Sequence, residues 1–559
     1  MTTYGPFDCD AWAAGPYGGV GEFLRLVVAE LLGRAPDLVE RHAVELVSAV
    51  PELAPLLPAS ATAALDLTTD VQIRFHPAAR TRALAFGLAE LVRAWDRPAH
   101  LVLHNVDRAD RTTVELLDAF RRVPALTLDV DGGSPAPEPE TDPVALRAAL
   151  GAAIARGFHD HGRRVATRGL ALVGTDLAWP FTTGLATCLT ALGEPAAARD
   201  LYLGVVDATD DPAILMSASA SLGVLHARHL PADPATARDW LDRAMALAAK
   251  LPEPRRTVLT VFHGQGLALL DSKAGDHERA LRTIDEGIAA LDRVLGPGER
   301  RQDRARLVHN RAQVHLAMRR PDAALADLDA VIAMDPYNAE YYVDRASLLR
   351  AAGRAEEALA DCTAAIRWHP HLPEAYYNRA DLLQAVGEPS AALADLDRVL
   401  AQQPAHADAL TNRSALRYES GDAEGAAADA RAGLAVAPGD PHLLCALGLV
   451  HADRGEHEVA DELFSRALAG RPDLTEALVN RATTRFERGD VAAAIADLTA
   501  ALSLADDPVT RYNRGHAHRA LGDARSAAAD FMAALSLDDG GDAEFTAELR
   551  AALAECAPG

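Results

Sequence analysis

Lysine is nearly absent from this sequence, and the balance of charge is strongly negative. Of the 55 basic residues only Lys250 and Lys273 are lysines, whereas 80 residues are acidic, and the formal net charge is −25. A surface of this charge repels phosphate groups. We therefore expect no nucleic acid and no membrane among the partners of this protein.

Aromatic residues, paired cysteines and long apolar runs are also scarce. Aromatics make up 5% of a chain that is 49% apolar, which favours closely packed helices over a β-sandwich. The five cysteines form no CxxC motif, so we expect neither a disulfide framework nor a zinc site. No signal-peptide pattern and no stretch of eighteen apolar residues is present, and we expect a cytoplasmic location.

A repeat of 34 residues dominates the second half of the sequence. Its markers are a proline, a glycine and an alanine that recur in fixed phase; the prolines are Pro336, Pro370, Pro404, Pro438 and Pro472. In the period from 373 to 404, helical spacing of apolar residues runs from Ala375 to Val386. Gly387 then ends that helix where a positive φ is needed, and Pro404 ends a second helix. The period therefore predicts a helix hairpin.

These spacings resemble the tetratricopeptide repeat family, which implies a mainly α fold. We expect a right-handed superhelical solenoid of helix hairpins behind a small degenerate α/β N-terminal domain. The predicted segments are an α/β domain (1–133), a linker (134–143), irregular repeats (144–304), regular repeats (305–541) and a C-terminal capping helix (542–559).

Two charged positions vary together between the repeats. Positions are counted from the first residue of each repeat, which is Pro373 in the period described above. Six repeats have arginine at position 7 and aspartate at position 23, including the pairs Arg379 with Asp395 and Arg413 with Asp429. One repeat has Leu447 and Leu463 at these positions instead. Loss of both charges together is typical of a contacting, partly buried ion pair. The alternative interpretation is that this one repeat has simply diverged.

The resemblance implies that the first helices line a concave groove, in which side chains at fixed positions bind a partner. The candidate groove residues are asparagines at position 6 and nearby aromatics: Asn310, Tyr377, Asn378, Asn412, Tyr418, Asn480, Phe486, Tyr512 and Asn513. An amide both donates and accepts, so an asparagine ladder suits a peptide backbone. Alternatively, these asparagines tie neighbouring helices together. Because the groove positions carry few basic residues, a neutral or basic segment is the expected ligand.

The first 133 residues do not repeat. The stretch 99–120 reads as strand, turn and helix, 125–130 as a further strand, and the segment before them as a pair of amphipathic helices. LVLHNVDRAD (101–110) resembles the magnesium-binding strand of STAND-type signalling ATPases, with His104 and Asn105 at the two acid positions and Asp110 at the later one.

The phosphate-binding motif of that family is missing. No GxxxxGK[ST] occurs, and Glu22 stands where a lysine is needed. We therefore expect no ATP hydrolysis, no cofactor and no catalytic residues.

Three tripeptides each contain two histidines; they are residues 159–161, 369–371 and 516–518. We interpret these histidines as surface residues and not as metal ligands. The sequence thus predicts a non-catalytic adaptor or scaffold that binds a peptide or protein partner in its groove. The alternative is a regulator, descended from STAND ATPases, that senses a ligand or partner through its N-terminal domain.

Overall fold

The computed structural model describes residues 1–10, 16–57, 77–131, 141–231, 233–296, 299–538 and 542–556. The chain divides into two compact units, Met1–Asn378 and Arg379–Gly559. Most of the predicted linker, residues 134–143, lies outside the described residues.

The N-terminal domain of the first unit contains a parallel sheet with strand order β1–β2–β3. The strands are β1 (Thr2–Asp8), β2 (Ala99–His104) and β3 (Leu126–Asp131). The strands predicted near 99 and 125 are confirmed. β1 was not predicted, since most of its residues are exposed and Pro6 interrupts it, so it lacks an alternating apolar pattern.

Helices cover this sheet. They are α1 (Val20–Arg34), α2 (Pro36–Arg41), α3 (Ala43–Ala49), α4 (Pro77–Trp95) and α5 (Arg111–Phe120). The second helix of the expected amphipathic pair is thus split at His42 into α2 and α3. The core contains Phe23, whose ring meets those of Trp95 and Phe120 edge-on with centroids 5.7 and 6.2 Å apart.

Helix hairpins form the rest of the first unit. Their helices are α6 (Pro143–Arg156), α7 (His159–Leu172), α8 (Thr175–Ala191), α9 (Pro195–Ala208), α10 (Pro212–Arg228), α11 (Pro234–Ala248), α12 (Arg255–Lys273), α13 (His277–Val294), α14 (Arg301–Ala317), α15 (Pro321–Met334), α16 (Ala339–Ala351) and α17 (Ala355–Trp368). The division between the units falls within α18 (Pro373–Ala385).

The second unit continues with regular hairpins and one further helix. These helices are α19 (Pro389–Gln402), α20 (Ala407–Glu419), α21 (Ala423–Val436), α22 (Pro441–Asp453), α23 (His457–Gly470), α24 (Thr475–Glu487), α25 (Val491–Leu504), α26 (Pro508–Ala520), α27 (Ala524–Leu537) and α28 (Ala543–Glu555). Leu549 of α28 is fully buried and packs in one cluster with Phe531.

A left-handed glycine joins the two helices of the regular hairpins from α16 onward, whereas Arg319, with a φ of +56°, stands at this turn between α14 and α15. Gly387 has a φ of +81°, and Gly421 and Gly489 both have +84°. A residue with a Cβ is strained in this region of φ, so glycine terminates the first helix at little cost. The predicted turn at Gly387 is confirmed.

Candidate functional site

In six of the regular hairpins, an arginine in the first helix forms an ion pair with an aspartate in the second helix. In each case Nε and Nη2 donate to the two carboxylate oxygens at 2.6–2.9 Å; the pairs are Arg311–Asp327, Arg345–Asp361, Arg379–Asp395, Arg413–Asp429, Arg481–Asp497 and Arg514–Asp530. The aspartates are buried, and the planar fork fits a carboxylate with two parallel bonds. The structure therefore brings together the residues that the sequence paired.

The remaining guanidinium nitrogen of these arginines, Nη1, donates to the preceding hairpin. The sequence did not indicate this contact. Arg345 Nη1 donates to Asp329 at 2.6 Å, and Arg413 Nη1 donates to Asp397 at the same distance. Arg481 uses Ser465 instead, at 3.0 Å. Each of these arginines thus links its own hairpin to the one before it.

The hairpin that lacks the ion pair replaces it with apolar contact. Leu447 of α22 and Leu463 of α23 are both buried in the same hydrophobic cluster, together with Phe464. A leucine pair of this kind needs no hydrogen-bond partner. The structure therefore supports an exchange of one pairing chemistry for another at positions 7 and 23.

Two of the candidate groove asparagines tie neighbouring first helices together. Asn310 of α14 donates through Nδ2 to Gln265 Oε1 of α12 at 2.7 Å. Asn378 donates to the Ser347 hydroxyl of α16 at 3.5 Å, a long contact. Asn412 is half-buried. For Asn310 the helix-tying alternative describes the observed contact.

Asn480 and Asn513 differ from Asn310 because their side-chain amides have no hydrogen-bond partner among the described residues; we call them unoccupied amides. Both are half-buried on the first helices α24 and α26, which are neighbours in the second unit. Neither side-chain amide makes a hydrogen bond to any residue that the structure describes. Two adjacent first helices therefore present amide groups that an external backbone can pair with.

The candidate aromatic anchors are all half-buried, and three of them contact neighbouring residues. The Tyr418 hydroxyl donates to Asp453 at 2.7 Å, and burial together with that carboxylate raises the pKa of Tyr418 to about 12. Phe486 packs on the core of its own hairpin, and the Tyr512 ring meets Phe545 of α28 with centroids 5.5 Å apart. Tyr377 is half-buried.

The polar residues at the carboxyl edge of the N-terminal sheet bond mainly to each other. Asn105 donates to Asp8 Oδ1 at 2.8 Å, which together with the Asp10 amide lowers the pKa of Asp8. Asp110 is fully buried and accepts from the Thr112 and Thr113 amides, so it caps α5. Asp110 therefore has a structural role in this arrangement.

A cleft of about 240 Å³ lies where α5 meets the first hairpins. Arg111 and Glu115 line it from α5, and His159 and Asp160 line it from the start of α7. The lining of this cleft therefore contains a basic side chain, Arg111, and two acidic side chains, Glu115 and Asp160.

The interpretation of the histidines in the three tripeptides as surface residues is wrong at three positions. His159, His369 and His371 are buried, and His371 is only 1% exposed. His371 lies in the turn between α17 and α18, where it meets His42 and Glu45 of the N-terminal domain. These contacts join segments that are far apart in the sequence, so repeat periodicity gave no signal for them.

Comparison with known families identifies the hairpins from residue 309 onward. A family model described as tetratricopeptide repeat matches residues 309–373, 377–441 and 445–508, and another of the same description matches 510–540. Residues 309–540 are tetratricopeptide repeats. Such repeats stack into surfaces that bind other proteins, which supports a protein-interaction scaffold role. The resemblance of residues 1–133 to a STAND ATPase has no counterpart in these matches.

Solved structures that match parts of this chain have low sequence identity to it. A tetratricopeptide repeat protein from Parabacteroides merdae is 22% identical, with 45% of this chain and 98% of that chain covered and a TM-score of 0.37. YrrB, described as a TPR protein with an unusual peptide-binding site, is 18% identical (34% and 97% covered, TM-score 0.30). A chain in the crystal structure of the APC/C hetero-tetramer Cut9–Hcn1 is 16% identical (75% and 90% covered, TM-score 0.36).

No curated protein sequence matches this chain significantly. Among the residues that the structure describes, no helix has both the length and the apolar character needed to cross a bilayer.

Proposed function

We propose that this chain is a non-catalytic scaffold that binds an extended segment of a partner protein along the first helices of its tetratricopeptide repeats. The observation that carries the proposal is that the side-chain amides of Asn480 on α24 and Asn513 on α26 have no hydrogen-bond partner among the described residues. An amide that is half-buried and unbonded can donate to a carbonyl and accept from an N–H of the same peptide backbone. Such contacts bind a segment irrespective of its side chains.

The charge beside these amides favours a neutral or basic ligand. Glu487, at the end of α24, is exposed and forms no ion pair with a described residue. On the preceding first helix, Asp453 already accepts from Tyr418. Because the chain carries a net charge of −25, an acidic segment meets repulsion both locally and at long range.

A displayed library of random twelve-residue peptides, selected against the full chain, tests the proposal. We expect enriched peptides with net charge of zero or above. Asn480→Ala with Asn513→Ala removes the two amides and is expected to weaken binding about tenfold or more, since each hydrogen bond contributes about 1 kcal/mol. Asn310→Ala is the matched control, because that amide already bonds to Gln265.

Two results would reject the proposal. One is a set of enriched peptides that is predominantly acidic. The other is equal loss of affinity in the control and in the double variant, which would indicate a general effect of asparagine removal on the helix stack.

A second candidate function is ligand sensing by the N-terminal domain, favoured by the cleft between α5 and α7. Arg111 at its wall forms an exposed ion pair with Glu115 of the same helix, and an anionic small molecule can compete for its guanidinium. A thermal-shift screen with nucleotides and Mg²⁺ tests this function. Stabilisation that disappears in Arg111→Ala supports it, whereas an unchanged melting temperature with every nucleotide rejects nucleotide sensing.

A further inference from the structure

Three buried side chains of the first unit place metal-binding atoms together. His42, Glu45 and His371 each offer one ligand atom, and these atoms all lie within 4.8 Å of one another. The side chains are at most 6% exposed. His371 Nε2 lies 3.0 Å from Glu45 Oε1, and the rings of His42 and His371 are stacked with centroids 5.7 Å apart.

The cluster leaves buried polar atoms without hydrogen-bond partners. His42 Nδ1 and Glu45 Oε2 make no hydrogen bond within the described part of the chain, and the ring nitrogens of His371 lie at ion-pair distance from Glu45 and Glu90 without good hydrogen-bond geometry. Buried polar atoms are bonded in the great majority of cases, so this cluster has room for a further partner. A cation satisfies imidazole lone pairs and carboxylate oxygens at the same time.

The surroundings of the cluster are shaped around these ligands. Gly87 of α4 makes the space, since a Cβ there would lie 2.5 Å from His371 Nε2 and 2.8 Å from Glu45 Cγ. The Phe86 ring packs edge-on against His371, with centroids 5.6 Å apart. Glu90 Oε2 lies 3.9 Å from His371 Nδ1, on the side of the ring away from Glu45. A carboxylate behind a ligating histidine is a common feature of metal sites.

We propose that His42, Glu45 and His371 bind one divalent transition-metal ion of the Zn²⁺ class. Two imidazoles and a carboxylate are a donor set that Zn²⁺ accepts, and Glu45 has a second oxygen that can complete the site. Ligands of a tetrahedral zinc ion lie about 3.4 Å apart. Modest inward movement of the side chains therefore closes the site.

The ion would join two distant segments of the first unit. His42 and Glu45 belong to the start of α3, and His371 belongs to the turn between α17 and α18. Binding would therefore fasten the N-terminal domain to a repeat more than 300 residues later in the chain. Since the ion binds the folded chain, its binding free energy adds to the stability of that contact.

The test uses the untagged full chain after removal of metal with a chelator. We expect Co²⁺ to bind with one ion per chain, to give the visible absorption of a tetrahedral site, and to be displaced by Zn²⁺. Zn²⁺, but not Mg²⁺, should raise the melting temperature. This measurement on the wild-type chain needs no variant.

Variants then identify the ligands. Glu45→Gln keeps the shape of the side chain and is expected to weaken Co²⁺ affinity about 100-fold or more, as is His371→Ala. His442→Ala is the matched control, because His442 lies 2.9 Å from Glu476 in an exposed pair to which no described residue adds a third metal-ligating atom. This variant should bind Co²⁺ normally. Circular dichroism checks that each variant is folded.

Two outcomes overturn the proposal. A folded wild-type chain that binds neither Co²⁺ nor Zn²⁺ at micromolar concentration would reduce the cluster to a buried histidine–glutamate ion pair. Stoichiometric binding that persists in both Glu45→Gln and His371→Ala would place the metal elsewhere.

Discussion

Arg379 and Asp395 form a two-bond ion pair across one helix hairpin, with donor–acceptor distances of 2.7 and 2.8 Å. The aspartate side chain is 7% exposed and the arginine side chain 24%. Desolvation of the carboxylate is thus offset by the guanidinium. The same geometry recurs in neighbouring repeats, whereas Leu447 and Leu463 occupy these positions in one of them.

Arg379→Leu should therefore destabilise the chain more than Arg379→Leu combined with Asp395→Leu. The single change strands a buried carboxylate, at a cost of about 3 kcal/mol or more, and the second change removes that charge. Urea denaturation of the four-member cycle measures the coupling. Arg354→Leu is the control, since the exposed Arg354–Glu357 pair contributes little. Additive effects would contradict the pairing.

The link to the preceding hairpin is expected to be weaker than the pair itself. Arg413 contacts the exposed Asp397 at 2.6 Å as well as the buried Asp429. Asp397→Ala should cost about 0.5–1 kcal/mol and lose its effect at high salt, because dissolved ions screen this exposed contact. Asp429→Ala should cost several times more at any salt concentration. Denaturation at low and high salt separates the two, and equal costs would refute the distinction.

Gly448 and Phe464 are a size-matched pair. A Cβ at Gly448 would lie 2.7 Å from the Phe464 ring, and Gly515 has the same relation to Phe531 at 2.6 Å. Gly448→Ala should destabilise the chain, because overpacking costs about 1–3 kcal/mol and exceeds the gain in helix propensity. In the Phe464→Leu background the same change should stabilise. Thermal unfolding of the cycle tests this, and destabilisation in both backgrounds would count against it.

His263 should make stability fall in mild acid. Burial, with a smaller effect of Arg306, lowers the pKa of His263 to about 4. The unfolded chain takes up the proton near pH 6.5, so stability is present above that pH and is lost as the pH falls toward 4. Between pH 7 and pH 5 the wild-type chain should lose about 2 kcal/mol more than His263→Gln. Parallel losses in the two proteins would assign the acid sensitivity to other groups.

The periodic features were predictable from the sequence, because each repeat reproduces the same contacts at the same spacing. Gly387 and the pair Arg379–Asp395 are examples: one phase of 34 residues fixes both the turn and the partner. The contacts of Arg413 and Arg481 to the preceding hairpin were missed, since their partners change from Asp397 to Ser465.

Contacts between a repeat and the N-terminal domain were not predictable, because they do not follow the repeat period. His371 is an ordinary turn residue by its spacing, yet it is buried because Glu45 and His42 reach it from the N-terminal domain. Likewise, composition alone did not separate the occupied amide of Asn310 from the unoccupied amide of Asn480. The difference depends on whether the neighbouring helix offers a partner such as Gln265.

Hydrogen–deuterium exchange of the full chain, with and without a selected peptide, shows whether the peptide lies along α24 and α26. We expect added protection within these helices, residues 475–487 and 508–520, and loss of that protection in Asn480→Ala with Asn513→Ala. Protection confined to other helices, or unchanged in the double variant, would contradict this expectation.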